Sequence, residues 1–111
     1  MYGASSDNAG TMAGIMKVRE VATRDSNNLF AQYMLGVGGM VSRQYDKAAI
    51  RFEKVVKAQP DNLEALFKLA EANELMENNE KAISWYQVIN GKVSDPQMKD
   101  AIEKRINELK K

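Results

Sequence analysis

The chain has 111 residues, enough for one compact domain, and its 44% apolar and 28% charged residues are ordinary for a globular protein. Its 16 basic and 15 acidic side chains leave a net charge of +1, which argues against a basic nucleic-acid surface and against a disordered acidic tail. There is no cysteine and no histidine. Thiolate or imidazole zinc sites, thiol nucleophiles, disulfides and histidine bases are therefore excluded, and no cofactor is expected. No apolar run approaches the ~18 residues of a membrane span, so direct membrane insertion is not expected. The N-terminus shows no basic segment followed by an apolar stretch, the pattern of a secretory leader.

Residues Met1 to Thr11 are small and polar, without periodicity, and read as a disordered tail. From Met12 onward the pattern is helical. Met12, Ile15, Met16, Val18, Val21 and Ala22 recur at helical spacing and predict a helix to about Thr23. Asp25 to Asn28 break it with side chains that bond their own backbone. Further helices are predicted over Leu29 to Ser42, Asp46 to Ala58, Leu63 to Met76, Glu80 to Ile89 and Pro96 to Leu109. Pro60 closes the third, and Asn90-Gly91 is expected to cap the fifth in a left-handed turn. Asp95 and Pro96 read as N-cap and first residue of the sixth.

Shifted by 34 residues, the sequence lines up with itself without a gap. Tyr33 falls on Phe67, Leu35 on Leu69 and Gly36 on Ala70. Asp46-Lys47-Ala48 fall on Glu80-Lys81-Ala82, Phe52 on Tyr86 and Val55 on Ile89. A backward shift brings Gly14, Val18 and Val21 under Ala48, Phe52 and Val55. The register divides the chain into a half unit over 12–28, whole units over 29–62 and 63–94, and a closing helix over 95–111. The closing helix departs from the period, since Glu103 falls on Leu69. Its apolar stripe of Met98, Ala101, Ile102, Ile106 and Leu109 suits a cap with one face to the stack and one to water.

Two helices per 34-residue unit, with Leu35-Gly36, Tyr45, Ala48, Phe52, Pro60, Leu69-Ala70, Ala82 and Tyr86 in place, resemble the tetratricopeptide repeat family. The resemblance implies an all-α, right-handed solenoid of antiparallel helix pairs. It implies small residues at Gly36, Ala48, Ala70 and Ala82 where paired helices approach, and Phe52 and Tyr86 as wedges between units. The early tryptophan of the family is replaced by Gln32 and Leu66. The opening half unit lacks its partner helix, as in a domain excised from a longer, bacterial protein.

In that family the first helices of successive units line a concave groove that holds an extended or helical peptide. Carried over residue by residue, the resemblance places Phe30, Tyr33, Val37, Met40 and Val41 on this groove in one unit. In the next it places Glu64, Phe67, Glu71, Glu74 and Leu75. The implied surface is apolar with an acidic rim and suits an amphipathic segment carrying basic residues. The alternative for the aromatics is packing on the adjacent helix as core. One subclass grips chaperone C-terminal carboxylates with lysine, asparagine and arginine. Tyr33 and Val37 stand at corresponding positions and cannot supply that clamp, although Lys68 is near.

Other features have plainer explanations. Gly36, Gly38 and Gly39 lie inside a helix, so they read as close helix approach and not as a phosphate loop. Glu71, Glu74 and Glu77 run along one helix side, as a solvated face does. Trp85 is expected to cover the junction with the last helix. No nucleophile sits beside a base, so no enzymatic activity is expected. The function expected is binding of a protein or peptide, with no nucleic acid. The alternative is self-assembly through the uncovered first helix, or membership of a longer solenoid. A free fragment is cytoplasmic by default, and an envelope-anchored parent is compatible with the same sequence.

Overall fold

The computed structural model describes residues 28–111; the tail expected over 1–11 and the helix expected from Met12 to Thr23 lie outside the described residues. Five helices follow in antiparallel succession: α1 Leu29–Val41, α2 Tyr45–Ala58, α3 Leu63–Leu75, α4 Asn79–Lys92 and α5 Pro96–Lys110. Among the described residues there is no strand. Each helix packs on its chain neighbours, α1 on α2, α2 on α3, α3 on α4 and α4 on α5. This is the stacking of a helical-pair repeat, in which each unit covers the apolar face left open by the one before.

Burial follows from position in the stack. On α2 the buried residues Ala48, Ala49, Phe52, Val55 and Val56 form one stripe at helical spacing. On α3, held between α2 and α4, they widen to Ala65, Leu66, Leu69, Ala70, Ala72 and Asn73. On α5 only Ile102 and Ile106 are buried, because α5 packs mainly on α4. Asn73, buried where the first unit has Gly39, satisfies its amide by donating from Nδ2 to the Leu69 carbonyl at 2.9 Å.

The same caps recur at the same repeat positions. The side chains of Asn28 and Asn62 accept hydrogen bonds from the backbone N–H of Ala31 (3.0 Å) and Ala65 (3.1 Å), starting α1 and α3. Asp95 does the same for α5 with Gln97, and Pro96 follows at the first helical position. The turn before α5, Val93 to Asp95, is one residue shorter than the turn before α3, Gln59 to Asn62. At a spacing of 33 the caps Asn62 and Asp95 align, and Leu69 and Asn73 fall on the buried Ile102 and Ile106. So α5 occupies the place of a third first helix, displaced by one residue.

The left-handed residues are not glycines. Arg43 (φ 62°) and Glu77 (φ 60°) hold that conformation just past the ends of α1 and α3. Gln44 N–H bonds back to Gly39 O and Arg43 N–H to Met40 O; Asn78 and Glu77 repeat the pattern on Asn73 and Glu74. These paired bonds reverse the chain within each unit. Glu77 thereby leaves the line of carboxylates expected along α3. At Asn90-Gly91 the expected left-handed cap is absent: α4 continues to Lys92, Gly91 lies inside it, and no described glycine has positive φ. Val93 ends the helix in extended conformation instead, its N–H bonded to Ile89 O.

Two of the three α1 glycines are close approaches. A Cβ on Gly36 would lie 2.5 Å from the Phe52 ring, and one on Gly39 would lie 3.0 Å from Ala48 Cβ. Around Gly38 nothing lies within 4 Å. Gly36→Ala therefore forces Phe52 off its position and should cost about 1–3 kcal/mol. Gly38→Ala gains helix propensity and should stabilise by up to about 1 kcal/mol. Urea unfolding of the two variants beside the parent chain checks both signs.

Candidate protein-binding groove

The expected groove residues lie on α1 and α3, and their surroundings differ along the chain. On α1, Phe30 and Val41 are the most open, with 70% and 78% of their surface exposed. Tyr33, Val37 and Met40 are half-buried against the core. Tyr33 sets its ring edge-on to Phe52, with centroids 5.6 Å apart. Phe67 makes the matching contact with Tyr86 in the next unit, at 6.5 Å. Each groove aromatic is thus held by the aromatic of its partner helix while part of its own surface stays open. Tyr33 and Phe67 therefore pack on the core and keep part of their surface open.

Phe67, Glu71, Glu74 and Leu75 come together around one cavity of about 380 Å³, completed by Tyr86 from α4 and Arg105 from α5. The five α1 residues and Glu64 lie outside it. Glu64 instead faces Tyr33, whose phenol is raised first by burial, then by the charge of Glu64 and its hydrogen bond. Leu75, 48% exposed, gives the cavity an apolar wall at the surface.

Glu74 is the electrostatic centre of the cavity. Its side chain is only 11% exposed. The Tyr86 hydroxyl donates to Oε2, and Arg105 Nη2 donates to Oε1. Arg105 also donates from Nη1 to Glu108 Oε1 at 3.1 Å. Burial pushes the Glu74 carboxyl upward, but the hydrogen bonds from Arg105 and Tyr86 outweigh it and hold the group below its ordinary range. Burial and the bond to Glu74 raise the Tyr86 phenol, and the bonds to Glu74 and Glu108 raise Arg105. Glu74 is therefore a neutralised wall and not a free acid of the rim. Glu71, half-exposed, has Lys68 at 3.9 Å as its ion-pair partner among the described residues. Among the described residues no three acidic side chains converge as a metal site, and no helix is long and apolar enough to cross a membrane.

Sequence reasoning missed Arg105 and the hydroxyl of Tyr86. The available signal was the Phe52-to-Tyr86 difference between units, which adds one polar atom at a wedge position. Trp85, in the place of Arg51, packs half-buried on the same core. Arg51 itself donates from Nη1 to the fully buried Gln32 at 3.0 Å.

The lowered Glu74 pKa gives a signed prediction. Stabilisation by the ionised carboxylate is complete above the unfolded value of about 4.5 and is lost as pH falls through the lower folded value. Glu74→Gln should remove this term, making stability flatter with pH on the acid side. Its cost at neutral pH should be about 1 kcal/mol, since 48% of the Arg105 side chain is exposed and water screens the pair. Denaturation midpoints at neutral pH and through the acid range, compared between the two chains, measure both.

Residues 42–104, from the end of α1 into α5, match the family model of the tetratricopeptide repeat. No curated protein matches the chain. The match covers more than half of the chain and takes in α2, α3, α4 and most of α5. With the antiparallel helix pairs and the repeated caps, it makes the chain a member of the tetratricopeptide repeat family, non-catalytic scaffolds that mediate protein–protein interaction.

Proposed function

We propose that the chain binds a peptide or helical segment of another protein along the face formed by α1 and α3, toward α5. The observation that carries this reading is apolar surface left open on the first helices. Phe30, Val41 and Leu75 remain 70%, 78% and 48% exposed on α1 and α3, while on α2 and α4 the open large apolar side chains among the described residues are Ile50 at 58% and Val88 at 40%. Open apolar side chains on one face, next to half-buried aromatics and a cavity, are what a segment with apolar anchors needs. The face is built from rigid helices, so a ligand loses little to ordering the receptor.

The mechanism is burial of the partner's apolar side chains on Phe30, Tyr33, Val37 and Phe67, with Met40 and Val41 extending that surface. Glu64 and Glu71 form the polar margin. That margin disfavours partners rich in carboxylates, the like charge across an interface being costly.

The test is a double substitution, Phe30→Asp with Leu75→Asp, at exposed positions that leave the core intact. Helix content and unfolding midpoint should match the parent chain. Affinity capture of partners from source-cell extract should fall at least about tenfold. Undiminished capture would move the site to the outer face. A chain that dimerises with concentration in sedimentation, and loses the dimer in this variant, would make the occupant a second copy of itself.

A further inference from the structure

We infer that the cavity between α3 and α5 receives a lysine or arginine side chain of the bound segment. This rests on the groove reading above and assigns one subsite within it. The cavity has about 380 Å³ and is open to solvent, room for one long side chain. Its walls divide by chemistry. Phe67 and Leu75 offer an aromatic edge and an aliphatic surface, suited to the methylene stem of a basic residue. Three charged groups line the rest: Glu71, Glu74 and Arg105.

Their pairing decides the sign of the ligand. Both oxygens of Glu74 are engaged, one by Tyr86 and one by Arg105. Arg105 is in turn shared between Glu74 and Glu108, so its single positive charge faces two carboxylates. Glu71 has Lys68 as its ion-pair partner among the described residues, at 3.9 Å and half-exposed on both sides. The cavity region therefore carries the carboxylates of Glu71, Glu74 and Glu108 against Arg105 and the outlying Lys68. The remaining charge is negative, and the carboxylate least committed is Glu71. A cation entering over Phe67 and Leu75 reaches Glu71 and exchanges it from Lys68. An acidic side chain would add a further negative charge to a lining of Glu71 and Glu74 against Arg105 alone.

Selection of short random peptides displayed against the whole chain tests the assignment. The recovered binders should carry lysine or arginine next to an apolar residue. Glu71→Gln should weaken them about fivefold and Glu71→Lys more than tenfold, with helix content unchanged because Glu71 is exposed. Leu75→Ser should weaken them as well, through the lost apolar wall. Binders that are lost with Leu75→Ser, lack a basic residue and ignore Glu71→Gln would overturn this subsite and leave the groove standing. Binders indifferent to Phe30→Asp and Leu75→Asp would overturn the groove reading, and the subsite with it. A selection that yields no binder above background overturns both.

Discussion

The arrangement depends on an aromatic ring laid against a helix backbone where no side chain intervenes. Phe52 occupies the space that a Cβ on Gly36 would need, so its ring lies directly on the α1 backbone, and Gly39 meets the α2 backbone at Ala48. That approach leaves the Phe52 edge free to meet Tyr33, which holds the tyrosine half in the core and half on the open face. The next unit repeats the plan with Ala70 and Tyr86, both buried, and with Phe67 standing edge-on to Tyr86. The groove aromatics are therefore part of the core's geometry. A change in the wedge residue would be felt on the open face through one ring contact.

The two units differ at that wedge by one hydroxyl, and the difference propagates. Phe52 ends in apolar surroundings, whereas Tyr86 reaches Glu74, and Glu74 reaches Arg105 on α5. The last helix is joined to the stack by this polar chain as well as by Ile102 and Ile106. Lys99, donating to the Asn90 carbonyl at 2.8 Å, is a further tie. The face formed by the first helices thus begins apolar on α1 and ends charged at α5.

Much of the fold was legible in the sequence because its signals are local and repeated. The cap at Asp95 and the helix end at Pro60 each act within a few residues of themselves, and the 34-residue offset repeats across the units. The Gly36 approach was legible through the family resemblance and the glycines' place inside a helix. Other features were hidden for physical reasons. Asn90-Gly91 looks like a cap, but α4 runs through it to Lys92, and tertiary context outweighs the turn signal. Conversely, Arg43 and Glu77 give no local sign of the left-handed conformation they hold. Arg105 was obscured by the one-residue-shorter turn before α5, which rotates that helix away from the 34-residue register. Of the residues expected on the groove, the sequence could place Phe67, Glu71 and Glu74 on one helix face. It could not show that Glu74 is neutralised from another helix.

The central claim is that the first helices of the pairs, and not the second, meet the partner. Amide chemical-shift mapping of the whole chain with a display-selected peptide tests this most directly. The account predicts that the changes concentrate on α1 and α3 and at Arg105, with the outer positions Ile50 and Val88 unmoved. Changes centred on Ile50 and Val88, which are 58% and 40% exposed on α2 and α4, with α1 and α3 silent, would contradict it.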